Sequence, residues 1–337
     1  MFYPILKRFL FRLDAEKAHD LSLKWLKIIH RAGLARFLPK PHSAPCRAMG
    51  LEFKNPVGLA AGFDKNGDYI DALATLGFGF IELGTVTPRP QPGNPFPRLF
   101  RLPEQQAVIN RMGFNNKGVD YLVDKIKSCS FSGVIGVNIG KNLTTDVAHA
   151  HEDYLYCLQK AYPHADYVAI NISSPNTPGL RNLQLKDHLG SLLGLIQAQR
   201  DKLIQKHNKY VPVVVKIAPD LSDAEIISFV EIFESFNLDG IIATNTTLSR
   251  EGVETSGFAH EQGGLSGAPL RNRASDLLKV LKKACNNKTT LIASGGILTA
   301  EDAVQRLQSG ASLVQVYTGL IYSGPWFVNE TVKKIHE

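Results

Sequence analysis

Amide and hydroxyl side chains are concentrated in one short stretch, residues 171–180, which reads Asn-Ile-Ser-Ser-Pro-Asn-Thr-Pro-Gly-Leu and follows an apolar run at 167–170. These groups can hydrogen-bond a polar ligand, and the prolines and glycine stiffen the stretch, so little ordering entropy is lost on binding. The alternative is an ordinary turn between a strand and a helix, which the same residue types favour. Ser174 has no His or Asp beside it that could activate it. The other polar groups of the chain decide between these interpretations.

Further polar side chains stand where other apolar, β-branched runs end. They are Asp64, Lys65, Thr85, Asn138, Lys216, Thr244, Asn245, Thr246, Ser294, Tyr317 and Thr318. Lys216 lies within the run Val-Val-Val-Lys-Ile, where a buried ammonium is costly unless an anion or a polarised acceptor meets it. The alternative is that its side chain reaches the surface, which so apolar a run disfavours. If the runs are parallel strands, these groups share one edge and form one site.

Eight such runs alternate with stretches of helical periodicity. We predict strands at 57–61, 80–83, 134–139, 167–170, 213–217, 240–244, 290–294 and 312–316. We predict helices at 69–76, 119–127, 148–161, 187–206, 223–236, 274–284 and 300–308. Eight alternating strands and helices over about 250 residues predict an α/β fold, a closed (β/α)8 TIM barrel rather than an open sheet. We expect residues 49–55 to form a small hairpin that closes the barrel floor.

The loops after the last two predicted strands are rich in glycine. Gly295 and Gly296 precede a helix that Thr299 would cap, so their N-H groups could meet phosphate oxygens with help from the helix dipole. Thr318 and Gly319 would supply a second set of donors. A glycine pair is otherwise a turn, but this fold commonly binds phosphate at these two loops. No GxGxxG motif follows the first strand, so a dinucleotide-binding fold is not indicated.

Two long insertions, at 87–116 and 245–270, interrupt the alternation. Their Asn and Gly content predicts lids that supply amides to a planar, hydrogen-bonding ligand. Disorder is the alternative, and the apolar residues Phe96, Leu99, Phe100 and Ile109 argue against it for the first insertion.

The positive charge is concentrated at the start of the chain. Residues 1–45 hold nine Lys or Arg against three Asp or Glu, within a net charge of +7 for all 337 residues. Two apolar stripes with helical spacing occur there: Phe2, Ile5, Leu6, Phe9, Leu10 and Leu13, then Ala18, Leu21, Trp25, Ile28 and Ile29. We expect Asp14 to cap the second helix, and Gly33 with Pro39 to end it.

A basic amphipathic hairpin suits an anionic membrane surface, although it could equally pack on the main domain without a membrane. Nucleic acid is not indicated, because the remaining body has little basic excess. We divide the chain into an N-terminal amphipathic helical segment at 1–45 and a barrel domain at 46–337. No apolar run could span a bilayer and no signal peptide is evident, so we expect a soluble or peripheral protein. The scattered cysteines indicate reduced thiols, and we predict no metal site.

Several motifs, in one order, carry a resemblance to a known family. They are Ala-Ala-Gly-Phe-Asp-Lys-Asn-Gly at 60–67, Glu-Leu-Gly-Thr-Val-Thr-Pro at 82–88, Asn-Arg-Met-Gly-Phe at 110–114, the 171–181 loop, Gly-Gly-Leu-Ser-Gly at 263–267 and Ser-Gly-Gly-Ile at 294–297. Together they resemble the quinone-dependent (class 2) dihydroorotate dehydrogenases. The resemblance implies that FMN takes a hydride from dihydroorotate, giving orotate for pyrimidine (UMP) biosynthesis, and that membrane ubiquinone accepts the electrons.

The resemblance also implies residue roles. FMN would contact Ala61, Gly62, Phe63, Asp64, Lys65, Thr85, Asn138, Asn171, Lys216, Thr244, Gly267, Gly296, Tyr317 and Thr318. Substrate would contact Lys65, Asn110, Arg111, Met112, Gly113, Phe114, Asn171, Asn176, Asn245 and Thr246. Ser174 would be the base that takes the C5 proton, and we hypothesise that Thr177 and a water relay that proton while Lys65 stabilises alkoxide character. His19, Arg101 and Tyr317 would line a quinone tunnel, although His19 could also be a surface histidine.

Other functions stay open at this point. A class 1 dihydroorotate dehydrogenase would need cysteine at position 174 and should lack the N-terminal hairpin. Another FMN barrel oxidoreductase, or a membrane-associated flavin-binding protein that has lost turnover, is the further alternative. The resemblance suggests a monomer, held peripherally on the cytoplasmic face of a bacterial inner membrane.

Overall fold

The computed structural model describes residues 3–37 and 43–337, so Phe2 and Pro39 of the predicted N-terminal pattern lie outside it. Its helices are α1 (Tyr3–Leu10), α2 (Ala15–Arg31), α3 (Ile70–Ala74), α4 (Val119–Ser128), α5 (Ala150–Ala161), α6 (Lys186–His207), α7 (Asp223–Ser235), α8 (Arg271–Ala284), α9 (Ala300–Gln308), α10 (Thr318–Ser323) and α11 (Phe327–His336). Its strands are β1 (Cys46–Ala48), β2 (Leu51–Phe53), β3 (Val57–Leu59), β4 (Phe80–Val86), β5 (Leu99–Leu102), β6 (Ala107–Asn110), β7 (Val134–Ile139), β8 (Tyr167–Asn171), β9 (Val213–Ile217), β10 (Gly240–Ala243), β11 (Gly264–Gly267), β12 (Thr290–Ser294) and β13 (Leu313–Val316).

Eight parallel strands form the predicted closed barrel, in the order β10-β12-β13-β3-β4-β7-β8-β9. Nearly every residue of these strands is buried, since one face packs inside the barrel and the other lies under the helices. The predicted fold class is confirmed. Small differences occur at the strand ends: β3 ends at Leu59, whereas β4 continues to Val86.

An antiparallel hairpin of β1 and β2 closes the floor of the barrel, as predicted, although it begins at Cys46 rather than within 49–55. Phe53 from this hairpin packs against Phe80, with ring centroids 5.4 Å apart. Both belong to a hydrophobic cluster that includes Val134, Tyr167 and Leu313 at the starts of their strands. Because this end is filled, any ligand site must lie at the opposite end.

The two long insertions, which we predicted to form lids, are paired with each other. Strands β5 and β6 of the first insertion and β11 of the second make one antiparallel sheet, in the order β11-β6-β5, which we call the cap sheet. Leu265 and Ile109 pair across it and are buried with Phe100 and Val253. The two insertions are therefore joined by backbone hydrogen bonds into a single cap.

The N-terminal segment is a helical pair, as predicted. Asp14 caps α2 by accepting hydrogen bonds from the N-H groups of Glu16 and Lys17. Helix α1 buries none of its residues, but Tyr3 Oη donates to the Ile321 carbonyl oxygen over 2.5 Å and Lys7 Nζ to that of Tyr322 over 3.1 Å. Among the described residues, no helix combines the length and hydropathy needed to cross a membrane.

Candidate active site

A cavity of about 970 Å³, including its opening, lies at the C-terminal end of the barrel, where the sequence predicted a site. Most of the predicted residues contribute to it. They are Ala61, Gly62, Lys65, Thr85, Asn110, Met112, Gly113, Phe114, Asn171, Ser174, Asn176, Lys216, Thr244, Asn245, Thr246, Gly267, Gly296, Tyr317 and Thr318. The cavity therefore brings together groups from the barrel strands, the cap sheet and the loop that contains Ser174.

Buried polar side chains form a hydrogen-bond network at the base of this cavity. The Asn138 Oδ1 atom accepts from the Thr85 hydroxyl over 2.6 Å and from Asn171 Nδ2 over 3.1 Å. Asn138 Nδ2 in turn donates to Glu82 Oε1 over 2.8 Å. Tyr167 Oη donates to Glu82 Oε2 over 2.8 Å. Because each member has a partner, Thr85 and Asn171 are held in fixed orientations toward the cavity.

Lys216 lines the cavity with only 5% of its surface exposed. Burial lowers the pKa of its ammonium, while the Glu82 carboxylate acts in the opposite direction. Within the described part of the chain, no hydrogen bond or ion pair to Lys216 is formed. A buried donor of this kind requires a ligand that carries an acceptor or negative charge. The predicted alternative, in which Lys216 reaches the surface, is wrong.

The glycine loop after β12 approaches the cavity through backbone rather than side chains. Gly295 and Gly296 have φ of 96° and 71°, and a Cβ on Gly296 would lie 2.3 Å from Arg271 Cα. Thr299 and Asp302 form a capping box at the start of α9, which confirms the prediction that Thr299 caps this helix. The N-H groups of Leu298 and Thr299 already donate to Asp302, so an anion would be met by the N-H groups of the two glycines, with help from the helix dipole.

Lys65 reaches the cavity from the loop after β3 and donates to the Gly62 carbonyl oxygen over 3.1 Å. Burial lowers its pKa to about 8, and the Glu16 carboxylate of α2 acts against that shift. Asp64 does not line the cavity. Its carboxylate accepts the N-H groups of Asp68 over 3.0 Å and Tyr69 over 2.8 Å, so it shapes the loop that carries Lys65.

Ser174 is buried at the cavity wall, and its Oγ accepts a hydrogen bond from the Asn176 N-H over 3.3 Å. Asn176 Nδ2 donates to the carbonyl oxygen of Asn110 over 3.1 Å, which connects this loop to the cap sheet. Thr177 is also buried but does not line the cavity. Its part in a proton relay stays a prediction.

A row of edge-to-face aromatic contacts runs from the N-terminal segment to the cavity. The ring centroids of His19 and Phe63 are 4.8 Å apart, and those of Phe63 and the cavity residue Tyr317 are 5.2 Å apart. His19 Nε2 lies 2.9 Å from the Phe63 carbonyl oxygen, and burial lowers the pKa of its imidazole to about 4. The neutral ring therefore donates its proton to that carbonyl, which leaves Nδ1 as an acceptor.

Arg101 lies outside the cavity lining, beneath α1. Its guanidinium donates to the carbonyl oxygens of Leu10 and Leu13 and lies 4.7 Å from the ring centroid of Phe11. The quinone roles of His19 and Arg101 stay predictions. In this arrangement the His19 ring and both terminal guanidinium nitrogens of Arg101 already donate hydrogen bonds to backbone carbonyls.

Other predicted residues support the site without lining the cavity. Phe63 is part of the aromatic row, and Asn138 is part of the buried network. Arg111 forms an ion pair of 2.6 Å with Glu261 across the two insertions. The sequence prediction missed Gln315, which lines the cavity and donates to Glu82 Oε2 over 2.6 Å. Gln315 could have been found in the same way as Lys216, because each is a polar residue inside an apolar strand.

The chain is similar to known proteins over almost its whole length. A family model described as Dihydroorotate dehydrogenase matches residues 44–337. The chain is 53% identical to a dihydroorotate dehydrogenase (quinone) of Methylobacillus flagellatus, covering 99% of this chain and 100% of that protein. It is 52% identical to one of Acinetobacter baylyi, with the same coverage. A crystal structure of DHODH from Eimeria tenella in complex with ferulenol is similar, with a TM-score of 0.86 and 39% identity over 95% of this chain and 90% of that one.

Proposed function

Because the chain belongs to the dihydroorotate dehydrogenase family, we propose that its cavity holds one FMN and that ubiquinone is its electron acceptor. The reaction is the oxidation of dihydroorotate to orotate in pyrimidine biosynthesis, with a flavin cofactor and a quinone. The observation that carries the proposal is the buried Lys216 ammonium, which lines the cavity and forms no hydrogen bond or ion pair in the described part of the chain. A flavin ring carries acceptor atoms that would satisfy it.

The residues of the cavity fit FMN at both of its ends. Gly296 and Thr318, at the loops before α9 and α10, would bind the phosphate through backbone N-H groups. Lys216, Asn171 and Thr85 would hold the ring. When bound, the flavin would accept a hydride from the substrate and pass the electrons on.

The substrate would lie between the ring and the cap sheet. Lys65 would pair with the orotate carboxylate, and the amides of Asn110, Asn176 and Asn245 would bind the pyrimidine ring, since they both donate and accept. The remaining proposed substrate contacts are Arg111, Met112, Gly113, Phe114, Asn171 and Thr246. With the substrate enclosed by the cap, bulk water is kept from the reacting atoms.

Ser174 would take the C5 proton of dihydroorotate. A serine hydroxyl is a weak base, so the negative charge that develops on Oγ needs stabilisation. The Asn176 N-H already donates to this oxygen, and the ammonium of Lys65 lines the same cavity. Thr177 and a water would carry the proton away from the buried Ser174.

The N-terminal segment would place the enzyme at its electron acceptor. Ile5, Leu6 and Phe9 of α1 and Trp25 and Ile28 of α2 are exposed, beside the basic residues of the segment. An apolar face with basic flanks binds an anionic membrane surface. We assign the protein to the cytoplasmic face of a bacterial inner membrane, as a peripheral monomer, with the aromatic row that ends at Tyr317 leading to the flavin.

The test is the visible spectrum of the purified protein under anaerobic conditions. A yellow protein that bleaches with dihydroorotate and recovers with a ubiquinone analogue supports cofactor, substrate and acceptor together. Ser174→Ala should keep the yellow colour and lose most of the bleaching rate. Flavin that stays oxidised with dihydroorotate would favour the alternative, a flavin-binding protein without turnover or another FMN oxidoreductase. A colourless protein that cannot be reconstituted with FMN would contradict the proposal.

A further inference from the structure

Arg181 connects three loops that leave the barrel beside the cavity, although it does not line the cavity itself. Its Nε donates to the Ser173 carbonyl oxygen over 3.1 Å, in the loop after β8. Its Nη1 donates to Asp220 Oδ2 over 2.6 Å, in the loop after β9. Its Nη2 donates to the Thr246 carbonyl oxygen over 2.9 Å, in the loop after β10. One planar guanidinium thus satisfies acceptors on three consecutive barrel loops.

Asp220 extends this connection further along the loop after β10. Its Oδ1 accepts a hydrogen bond from the Thr247 hydroxyl, and both carboxylate oxygens lie 3.3 Å from the Leu248 backbone nitrogen. Charge-assisted hydrogen bonds of this kind are about twice as strong as neutral ones and fix direction as well as distance. We call Arg181 and Asp220 together the loop clamp.

The loop clamp acts on backbone groups next to the chemistry. The Ser173 carbonyl and the Ser174 N-H belong to one peptide group, so holding that plane restricts where the Ser174 side chain can point. The Thr246 carbonyl is held in the same way. The two loops also meet directly, because Asn245 Nδ2 donates to Ser173 Oγ over 3.0 Å.

We propose that Arg181, with Asp220, is a positioning residue for dihydroorotate oxidation, which holds Ser174 at a fixed separation from Asn245 and Thr246 before the substrate binds. This inference rests on the proposed function. A proton acceptor must lie within hydrogen-bond reach of its proton, and a displacement of about 1 Å can cost about 100-fold in rate. A lysine would keep the positive charge of Arg181. Its single ammonium nitrogen could not, however, donate to three acceptors that lie in different directions, as the three guanidinium nitrogens do.

The first experiment compares Arg181→Lys with a matched control, Arg200→Lys. Arg200 also donates to a carboxylate and a carbonyl, Asp239 Oδ2 over 3.0 Å and the Asn237 oxygen over 3.1 Å. These contacts lie near the start of β9, at the opposite end of the barrel from the cavity. It is the more buried of the two arginines, with 5% of its side chain exposed against 20%. Stopped-flow measurement of flavin reduction by dihydroorotate should show about a 100-fold slower rate for Arg181→Lys. Arg200→Lys should stay within twofold of wild type, and both variants should bind FMN as wild type does.

A split between two kinetic parameters separates positioning from general loosening. Asp220→Asn weakens the hold on the loop after β10, so it should raise the KM for dihydroorotate several-fold more than it lowers the limiting rate. Arg181→Lys should lower the limiting rate more than it raises KM. Equal rates for Arg181→Lys and wild type, or equal slowing in Arg200→Lys, would overturn the proposal.

A second readout needs no turnover. In a Ser174→Cys background, the rate of alkylation by iodoacetamide at position 174, followed by mass spectrometry, reports how well the loop is held. Adding Arg181→Lys should raise that rate several-fold, and adding Arg200→Lys should not; an unchanged rate with Arg181→Lys would contradict the loop clamp. If dihydroorotate fails to reduce the wild-type flavin, the proposed function fails, whereas the alkylation comparison still decides on the clamp.

Discussion

Lys65 loses its proton at a lower pH than a surface lysine does, because burial lowers its pKa to about 8. Pairing with a carboxylate requires the protonated form. The side chain is held by the carbonyl of Gly62 rather than by an anion of the cavity, so its ammonium is available to a ligand.

We predict that orotate binding depends on pH through Lys65. Affinity should be constant below about pH 8 and then fall by up to tenfold per pH unit as the free enzyme loses the proton. Titration of the flavin absorbance with orotate between pH 6.5 and 10 measures this. Lys65→Met should bind orotate weakly at every pH, and a flat profile in the wild type would show that Lys65 does not bind the carboxylate.

Glu82 is a fully buried carboxylate beneath the cavity, and it accepts hydrogen bonds from Asn138, Tyr167 and Gln315. Glu82→Gln would point an amide donor at groups that are themselves donors and would remove the charge that favours protonated Lys216. We predict a loss of about 3 kcal/mol in the free energy of unfolding, together with weaker FMN binding at alkaline pH. Urea unfolding and FMN titration measure the two effects. Tyr167→Phe is the control, since it removes the hydrogen bonds of the hydroxyl with Glu82 and Gln315 without changing the charge and should cost about 1–2 kcal/mol.

At the scale of elements, the cap sheet completes the site. Gly264 of β11 lies against the loops from two barrel strands: a Cβ there would be 1.9 Å from Thr246 Oγ1 and 3.0 Å from Pro175 Cγ. The cap, the loop that contains Ser174 and the loop after β10 therefore meet at a position where a side chain does not fit. This close approach is what encloses the proposed substrate.

Gly264→Ala should separate these three elements. We predict at least tenfold weaker orotate binding and little change in FMN binding, because the proposed phosphate loops follow two other strands, β12 and β13. Isothermal titration with each ligand distinguishes the two effects. Gly257→Ala provides the control, as a Cβ at Gly257 meets no atom within 4 Å. Equal weakening for both ligands would mean that the substitution disturbs the barrel rather than the cap.

The sequence predicted the barrel well because its strands lie in apolar, β-branched runs that alternate with helical stretches, such as Val134–Ile139 and Val213–Ile217. It also located the site, since polar residues inside or after such runs mark the functional end of a barrel. The cap sheet was not predictable in the same way. Its strands have four residues each, β11 begins and ends with glycine, and β11 pairs with a strand from another insertion.

Other elements escaped prediction for local reasons. Helices α10 and α11 follow the last strand, β13, and were not predicted. Thr318 was interpreted only as a phosphate-binding residue, although it also begins α10. Helix α8 starts at Arg271, before the predicted Ala274, because a short helical turn with Pro269 leads into it. Arg181 lay inside a predicted motif, but its contacts to two neighbouring loops depend on tertiary structure.

At the scale of the whole molecule, the exposed apolar residues are unevenly distributed. Ile5 and Phe9 of α1 are 70% and 60% exposed, and the helix is attached to the barrel mainly through Tyr3, Lys7 and the carbonyls that Arg101 contacts. Substitution of the exposed side chains should therefore leave the fold intact, within about 0.5 kcal/mol.

We predict that the double variant Ile5→Glu and Phe9→Glu loses binding to anionic lipid vesicles, because it removes apolar contact area and adds negative charge. Reduction of ubiquinone embedded in those vesicles should fall at least tenfold, while flavin reduction by dihydroorotate stays unchanged. Vesicle sedimentation and the two rate measurements test this. Ile227→Glu, on an exposed site of α7, should alter neither; retained vesicle binding by the double variant would assign α1 a purely structural role.

Strand β6 cannot pair with β11 until well after β6 itself has been synthesised. Asn110 and Gly264, which face each other across that pairing, are separated by 154 positions in the sequence. At roughly 5–20 residues per second, the ribosome needs roughly 8–30 seconds to deliver the second strand after the first. Throughout that interval β6 has an open edge, and most of the barrel that supports it does not yet exist. The cap is consequently among the last parts of the enzyme to form, and a nascent chain cannot enclose substrate until translation has passed β11.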